Sequence, residues 1–386
     1  MTALKRALLS GVATTRVGAI PELSCLGLHA QAAHAALADA GLGLRDIDGV
    51  LCAYSFVEPY PMLSSVFCEY MGIQPAVTFS LQLGGATAAT MVMQAAALVE
   101  AGYARHVLCV TADNRLSGMS RDGAVAALAG FGHPEFEVPY GISIPAAYAL
   151  VAQRYLHETG ATLEQLAAIA VQHRAHAALH PDAHQQALIT IDEVMRSRVI
   201  ASPLRLLDCC LISDGGAAVI VSAADAAADL RAPGVRLLGS GQGHTHEHLI
   251  AAPSLTDFGC KQSAKRAFER AGVSIADIDV AEIYDSFTIT LLVELESIGF
   301  FERGEAGPAA MAGALGLDGR LPCNTHGGLL SFGHSGAAGG MFHVVEGVRQ
   351  LRGECGARQV RDAELAFVHG DGGVLSAHCS LILGKV

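Results

Sequence analysis

Three side chains that can carry a proton stand at turn-like positions in the C-terminal part of the chain: Tyr284, His334 and His369. A histidine changes its charge near neutral pH and therefore serves as an acid or a base. A tyrosine has an unperturbed pKa of about 10, but beside a histidine it can take or give a proton. The glycines around His334, in GHSGAAGG, allow the backbone to approach a ligand closely. These residues predict proton-transfer chemistry.

Histidines also recur at spacings that suggest a metal site, but the surrounding residues argue against one. A run of four lies three or four residues apart, at His173, His176, His180 and His184. Pro181 ends a helix after the third, so the four cannot converge from one helical face. We interpret GHTHEH, residues 243–248, in the same way. The sequence predicts no metal site and, because GxGxxG spacing is missing, no dinucleotide site.

The composition is that of a well-buried globular protein. Of 386 residues, 51% are hydrophobic and only 16% are charged, which excludes a disordered chain. The length suits two or three units that each have a core. The net charge is −12 and no Lys/Arg run is present, whereas a nucleic-acid-binding protein needs a basic stripe. We therefore expect no nucleic-acid partner.

The cysteines and the hydropathy of the sequence indicate in which cellular compartment the protein is expected. Ten cysteines occur without a CxxC pair, and the vicinal Cys209 and Cys210 make a poor disulfide. The N-terminal apolar stretch is short for a secretion signal. Reduced thiols in a cytoplasmic protein are the prediction. No uncharged apolar run reaches 18 residues, so we also expect no membrane span.

A repeat divides the chain into two related α/β units. Residues 46–56, DIDGVLCAYSF, and 277–287, DIDVAEIYDSF, share five residues at a constant shift of 231. A helical pattern ending in Ala-Gly precedes each copy, and a small-residue helix follows each, at 84–102 and 333–353. The alternation predicts βαβ units with parallel sheets. Small side chains suit helices that lie close together between the two sheets.

The repeat also predicts the domain organisation and a division of labour between the copies. The first unit comprises 1–114 and 211–230, an insertion comprises 115–210, and the second unit comprises 231–386. Within the insertion, amphipathic patterns predict helices at about 143–158 and 162–178. Tyr284 of the second copy aligns with Ala53 of the first, which we expect to lie away from the chemistry. Asp285 is expected to cap a helix at 288–298.

Four motifs in order resemble the thiolase superfamily, in particular its sterol-carrier-protein/lipid-transfer-protein (SCP2-type) branch. NTHGGLLSFGHSGAAGG (324–340) is similar to the family's Asn-x-x-Gly-Gly and Gly-His-Pro loop, and AEIYDSF (281–287) to its Asn-Glu-Ala-Phe or His-Asp-Cys-Phe loop. SDGGAAVIV (213–221) and HGDGG (369–373) match two further turns. The resemblance covers nearly the whole chain. It implies a five-layer αβαβα fold, a homodimer, CoA-thioester substrates and, in this branch, a small OB-fold/zinc-ribbon partner.

The resemblance also assigns roles to single residues. The position of the family's nucleophilic cysteine falls on Gly85, so no acyl-cysteine is expected, and the family's second cysteine aligns with His369. His334 matches the Gly-His-Pro histidine, although Ser335 replaces the proline. Tyr284 stands in the Asn/His slot, as in the steroid side-chain aldolases of this branch that also lack the cysteine. The expected substrate-binding positions are Asn324, Gly85, Gly333 and Gly372.

These assignments predict retro-aldol cleavage of a β-hydroxyacyl-CoA. Tyr284 would remove the hydroxyl proton, His334 would hold the enolate oxygen, and His369 would carry a proton to carbon. No cofactor is expected beyond coenzyme A as the substrate's carrier. One alternative is an acetyl-CoA acetyltransferase-type thiolase that works by direct attack of free CoA. Another is a non-catalytic acyl-CoA-binding subunit.

Overall fold

A computed structural model describes residues 7–120, 122–123, 128 and 130–386. The remaining residues, including 1–6 of the predicted first unit, lie outside the described residues. The strands of the first unit are β1 (Leu8–Thr14), β2 (Gly49–Ala53), β3 (Val77–Leu81) and β4 (His106–Asn114). The strands that follow are β5 (Val199–Ala201), β6 (Leu204–Arg205), β7 (Asp214–Ser222), β8 (Val235–His244), β9 (Val280–Ile283), β10 (Leu365–Gly372) and β11 (Ala377–Gly384).

Nine of these strands form one mixed sheet with an internal repeat. Its order is β3-β2-β4-β7-β1-β8-β11-β10-β9, while β5 and β6 form a separate two-stranded sheet. The order β2-β4-β7-β1 in the first half is repeated as β9-β10-β11-β8 in the second, which supports the duplication inferred from the sequence. The halves join through β1 and β8, where Leu8 lies opposite Arg236 and Leu9 opposite Val235.

The strand directions differ in part from the sequence prediction. Parallel pairing holds for β2 with β3 and β4, and for β9 with β10. The pairs β4–β7 and β10–β11 are antiparallel. The reason is that β10 and β11 form a hairpin and that β7 returns from the long insertion, so neither connection is a crossover helix. The prediction of parallel sheets therefore holds for β2, β3 and β4 and for β9 and β10 but not for the whole sheet.

Helices cover both faces of the sheet. They are α1 (Cys25–Ala40), α2 (Leu63–Met71), α3 (Thr87–Glu100), α4 (Ile144–Thr159), α5 (Leu163–Ala177), α6 (Ile191–Arg196), α7 (Cys260–Ala271), α8 (Thr288–Ile298), α9 (Ala306–Met311), α10 (Gly328–Ser331) and α11 (Ala338–Arg352). Alternate residues of β2 pack on opposite faces, with Leu51 in the core that includes α3 and Val50 in the core that includes α1. None of the helices in the described part of the chain combines the length and apolar character that crossing a membrane requires.

The helices α3 and α11 are the central layer. They contact each other and strands of both halves, as the small-residue patterns predict. A Cβ atom at Gly340 would lie 2.4 Å from the carbonyl oxygen of Gly85, so only glycine permits this approach. The helices predicted in the insertion are confirmed as α4 and α5. Ser143 caps the first of them by accepting a hydrogen bond from the backbone N–H of Ala146.

Candidate active site

A cavity of about 310 Å³ lies where the two halves and the insertion meet. Most of its wall is aromatic or aliphatic, with a few polar side chains, which is typical of a ligand site. Among the described lining residues Arg115 is the only lysine or arginine. The lining comprises Tyr54, Phe56, Gly84, Gly85, Arg115, Leu128, Phe131, Ile144, Pro145, Tyr148, Ile200, Leu206, Cys209, Cys210, Leu211, Ile212, Tyr284, Ser286, Phe287, His334, Gly336, Asp371 and Gly373.

Two of the predicted catalytic residues meet in this cavity. The Tyr284 hydroxyl oxygen lies 2.8 Å from Nε2 of His334, and Nδ1 of His334 lies 3.2 Å from Nη1 of Arg115. An arginine N–H can only donate, so Nδ1 accepts and the proton of the neutral imidazole is on Nε2. That N–H then donates to the oxygen of Tyr284. The phenolic proton of Tyr284 is consequently available to the cavity.

Burial determines the protonation states of His334 and Tyr284. Burial, with the positive charge of Arg115 added, lowers the pKa of His334 to about 3, so the ring is neutral at physiological pH. Burial raises the pKa of Tyr284 well above its usual value, while Arg115 acts in the opposite direction. The resting site therefore has a neutral phenol, a neutral imidazole and one fixed positive charge.

Asn324 and Gly333 position Tyr284 and His334, and neither is among the residues that line the cavity. The Asn324 side chain accepts from the backbone N–H of Ile283 and donates to its carbonyl oxygen, both at 2.7 Å. It thereby holds the end of β9 directly before Tyr284. Gly333 has a φ of 153°, and a Cβ there would lie 2.2 Å from a methyl group of Val17. Glycine is required for this loop to bring His334 into place.

Gly85 lines the cavity and makes room for Tyr284. A Cβ at residue 85 would lie 2.1 Å from Cζ of Tyr284, so the tyrosine ring fills the space that a side chain at this position would need. Gly372, also predicted to bind substrate, is in backbone contact instead: its Cβ would lie 2.0 Å from the carbonyl oxygen of Leu83. Its role is to let the loop at the end of β10 pack against residues 83–85.

Two thiols line the cavity although neither stands at the start of α3. Burial raises the pKa of the Cys210 thiol to about 12, and it raises that of Cys209 further. Both groups are protonated at neutral pH, and a thiol is a far weaker nucleophile than a thiolate. The Cys209 thiol also lies 3.2 Å from the Arg205 carbonyl oxygen. The environment does not activate either sulfur.

Sequence reasoning missed Tyr54 of the first half and Arg115, which directly follows β4. Ala53 is fully buried, as the alignment of the copies suggests, but its neighbour Tyr54 lines the cavity. The Phe56 ring packs edge-on against Tyr54 and carries the Arg115 guanidinium over its face at 4.9 Å. Ala53 itself is not among the residues that line the cavity, as expected, whereas its neighbours Tyr54 and Phe56 do line it. A lone cation directly after the apolar strand β4 was the available signal for Arg115.

His369 does not line the cavity, in contrast to the prediction that it carries a proton to the substrate. Its Nδ1 lies 2.8 Å from the Ser380 hydroxyl oxygen and its Nε2 lies 3.1 Å from Nδ1 of His378. Burial lowers its pKa to about 3. Asp371, two residues further on, is the residue of this strand that reaches the cavity, where it accepts a hydrogen bond from the Tyr148 hydroxyl at 2.8 Å.

Asp285 does not cap the helix at 288–298, so that prediction was wrong. Its carboxylate accepts the backbone N–H groups of Leu329 and Leu330 at the start of α10, and it lies 2.8 Å from Nδ1 of His173. Hydrogen bonds from the backbone of this distant segment satisfy the Asp285 carboxylate, so it does not bond to the adjacent end of α8. His173 is thus a partner of a buried carboxylate.

The structure also brings together two groups of histidine and glutamate that the sequence did not suggest. In the described residues, ligand atoms lie within 4.8 Å of one another in Glu282, His326 and His343, and again in Glu294, His369 and His378. All six side chains are buried. The four histidines considered in the sequence do not form such a group.

The chain is similar to known proteins over nearly its whole length. The chain matches the family "Thiolase, N-terminal domain" over residues 11–225 and "Thiolase C-terminal domain-like" over residues 241–385. An acetyl-CoA acetyltransferase of Methanothermobacter thermautotrophicus is 33% identical over 95% of this chain and 97% of its own length. A steroid side-chain-cleaving aldolase of Thermomonospora curvata is 36% identical over 90% of each chain. The solved structure of an "Ltp2-ChsH2(DUF35) aldolase" has a TM-score of 0.88 and 34% identity, covering 99% of both chains.

Proposed function

Since the chain belongs to the thiolase family, we propose that it cleaves β-hydroxyacyl-CoA esters by a retro-aldol reaction in which no acyl-cysteine forms. The observation that carries this proposal is the chain of Arg115, His334 and Tyr284 in a cavity where glycine stands at residue 85. The Tyr284 hydroxyl can act as an acid or a base at the place where the family's nucleophilic thiol would stand. The aldolase relatives support the reaction type.

The reaction requires one proton to move between two atoms of the substrate. The neutral phenol of the resting site first gives its proton to solvent, and the resulting phenolate oxygen of Tyr284 then takes the proton of the β-hydroxyl group. The bond between the α and β carbons then breaks, a ketone or aldehyde forms at the β carbon, and the electron pair enters the thioester enolate. The same proton passes from Tyr284 to the α carbon and gives an acyl-CoA. Neither water nor free CoA is consumed.

His334 and Arg115 support this step by controlling charge. The Nε2–H of His334 donates to the Tyr284 oxygen and stabilises the phenolate, and Arg115 keeps His334 in the required tautomer. One negative charge moves from the phenolate to the alkoxide and then to the enolate. The buried guanidinium of Arg115 is a fixed charge that balances it throughout, in a cavity where most of the wall is apolar.

The apolar lining favours a bulky, hydrophobic group at the β carbon. Aromatic and branched side chains from the first half, the insertion and the second half face the cavity, among them Phe131, Ile144 and Phe287. The name of the Thermomonospora relative is consistent with a polycyclic substrate. We propose that coenzyme A is needed only as the carrier of the acyl group and that no further cofactor takes part in the carbon–carbon step.

We propose that the chain forms a homodimer and also binds a small OB-fold/zinc-ribbon partner in the cytoplasm. The edge strand β3 leaves Phe79 half exposed, which suits pairing with a second copy. The aldolase structure with ChsH2(DUF35) supports a partner of that kind. Ten free cysteines suit a reducing compartment. Analytical ultracentrifugation of the chain with and without a co-encoded partner tests the assembly.

Acyl transfer is the second candidate, and two observations favour it. An acetyl-CoA acetyltransferase is among the relatives, and the Cys209 and Cys210 thiols line the cavity. A third reading, a non-catalytic acyl-CoA-binding subunit, is less consistent with an Arg–His–Tyr chain of hydrogen bonds in the cavity.

Product analysis separates these functions. The chain, alone and with its partner, is incubated with β-hydroxyacyl-CoA esters and separately with β-ketoacyl-CoA esters plus free CoA. The proposal predicts that a ketone or aldehyde and an acyl-CoA appear in equal amounts without free CoA. Cleavage that depends on free CoA supports acyl transfer instead. Saturable binding without turnover, unchanged by His334→Ala, supports a binding subunit.

A further inference from the structure

A second group of polar side chains lies behind the wall of the cavity, between the β10–β11 hairpin and α8. Nε2 of His369 lies 3.1 Å from Nδ1 of His378, and Oε1 of Glu294 lies 3.3 Å and 3.6 Å from these two nitrogens. All three side chains are fully buried. Within the part of the chain that the structure describes, neither carboxylate oxygen of Glu294 has a hydrogen-bond partner. Buried polar atoms of this kind require an explanation.

The outer hydrogen bonds determine which atoms of the two histidines face the group. Nε2 of His378 lies 3.0 Å from the carbonyl oxygen of Leu375, which can only accept, so His378 is protonated on Nε2. Its Nδ1 therefore presents a lone pair.

The tautomer of His369 follows from a longer chain that also ends on a carbonyl group. The Ser263 hydroxyl donates to the Cys260 carbonyl oxygen, so the Ser380 hydroxyl donates to Ser263 and accepts from Nδ1 of His369. His369 is then protonated on Nδ1, and its Nε2 presents a lone pair. Two imidazole lone pairs and a carboxylate oxygen thus converge, and the N–H groups of both rings donate to a carbonyl and a hydroxyl oxygen that hold the rings as in metal sites.

The separations fit a metal ion. Zinc binds imidazole nitrogen and carboxylate oxygen at about 2.0–2.1 Å with tetrahedral geometry, which separates its ligand atoms by about 3.3–3.4 Å. The three observed separations, 3.1, 3.3 and 3.6 Å, scatter around this value. A fourth oxygen is near: Oδ1 of Asp371 lies 3.9 Å from Nδ1 of His378 and has no hydrogen-bond partner among the described residues, although it is outside the group of atoms within 4.8 Å of one another and has to move to complete the set.

We propose that His369, His378 and Glu294 bind one divalent first-row metal ion and that Asp371 moves in as the fourth ligand, with Zn²⁺ the ion that two imidazoles and two carboxylates suit. Two carboxylates and two neutral imidazoles around a divalent cation form a neutral site, which removes the cost of burying unpaired carboxylates. Four protein ligands leave no open position, as in structural sites. The ion joins the hairpin to α8 and fixes Asp371, whose other oxygen holds Tyr148 at the cavity wall.

This site differs from the second buried group, and it does not depend on the proposed reaction. In that group Oε1 of Glu282 accepts from the backbone and hydroxyl of Thr325, and Oε2 is hydrogen-bonded to Nδ1 of His343 at 3.4 Å. Its carboxylate is therefore satisfied by hydrogen bonds. The metal proposal departs from the expectation that the chain has no metal site, because ligands from β10, β11 and α8 are not adjacent in the sequence.

Metal analysis of the untagged full chain, produced without its partner in zinc-supplemented medium, tests the proposal. Elemental analysis is expected to find about one Zn²⁺ per chain. Chelation is expected to lower the melting temperature on the order of 5 °C, and added Zn²⁺ to restore it. The variants Glu294→Gln and His378→Gln are expected to lose the metal, whereas His343→Gln in the second group retains it.

X-ray absorption of the wild-type chain gives a measurement that does not depend on the folding of a variant. It is expected to show four nitrogen or oxygen ligands, two of them imidazole, and no sulfur. Sulfur ligation, or loss of the metal in His343→Gln, places the ion elsewhere and overturns the assignment. Less than about a tenth of a metal ion per chain, with no response of the melting temperature to Zn²⁺, overturns it as well.

Discussion

At the scale of single residues, the lack of a side chain at position 85 decides which group reaches the substrate. The Tyr284 ring occupies the space into which a side chain at residue 85 would project, and its hydroxyl oxygen is hydrogen-bonded to the neutral imidazole of His334. The sequence motifs identified Tyr284 and His334 because each is part of a local pattern. They did not identify Tyr54 or Arg115, since these residues reach the cavity only through contacts between the two halves.

A methyl group at residue 85 is expected to abolish most turnover by displacing the Tyr284 ring. Gly85→Ala places a carbon about 2 Å from Cζ of Tyr284, and a displacement of about 1 Å costs on the order of 10²-fold in rate. Steady-state kinetics of carbonyl release measure the effect. Gly130→Ala is the control, because a Cβ there meets no atom of the described residues within 4 Å. Equal rates for the two variants contradict this packing.

Removing the positive charge at residue 115 is expected to lower kcat about 10²-fold with little change in stability. In Arg115→Met, Nδ1 of His334 loses its donor and the developing negative charge loses its neighbour. Kinetics together with thermal unfolding separate the two effects. Arg196→Met, which removes an exposed ion pair with Asp192, is the matched control and is expected to keep full activity. An unchanged kcat for Arg115→Met refutes the role of this charge.

At the scale of elements, loops that approach within backbone contact position the site. The patterns of small residues correctly predicted the central helices α3 and α11, because close helix packing needs small side chains along a whole face. Strand direction was predicted less well, since it depends on how distant segments return to the sheet. The positions of Asn324, Gly333 and Gly372 were identified, but the structure shows them holding backbone rather than lining the cavity.

Asn324→Ala is expected to destabilise the fold by about 3 kcal/mol, because it leaves the buried N–H and carbonyl of Ile283 without partners. Urea unfolding followed by circular dichroism measures the change. The exposed Gln31→Ala in α1 removes an equivalent amide and is expected to cost less than about 0.5 kcal/mol. A loss below about 1 kcal/mol for Asn324→Ala is inconsistent with the role as a clamp on β9.

At the scale of the whole molecule, two related halves enclose one cavity, and many histidines are buried in neutral form. The sequence repeat established the duplication, yet it did not indicate that β1 and β8 join the halves into one sheet, because in the described residues the strand pairing at the junction is two residue pairs long. Burial lowers the pKa of His29 and of His176 to about 4 and that of His180 to about 2. These imidazole rings lie in the core, so protonating them destabilises the folded state.

Stability is therefore expected to fall as the pH decreases from about 6.5 to 4. In this interval the unfolded chain takes up protons that the folded chain does not, and each such histidine lowers the free energy of unfolding by about 1.4 kcal/mol per pH unit. Urea unfolding between pH 7.5 and 5 measures the slope. His29→Gln is expected to reduce it, while His34→Gln, an exposed position on the same helix, leaves it unchanged. A free energy that does not vary with pH contradicts the buried neutral state.

A comparison of two variants decides whether oxygen or sulfur performs the reaction. The rate of carbonyl release from a β-hydroxyacyl-CoA without free CoA is measured for Tyr284→Phe and for the double variant Cys209→Ala/Cys210→Ala. We predict that Tyr284→Phe loses about 10³-fold in kcat, while the double variant stays within about threefold of the unmodified chain because no acyl-cysteine forms. Loss of turnover in the thiol-free variant with activity retained in Tyr284→Phe contradicts the proposed mechanism.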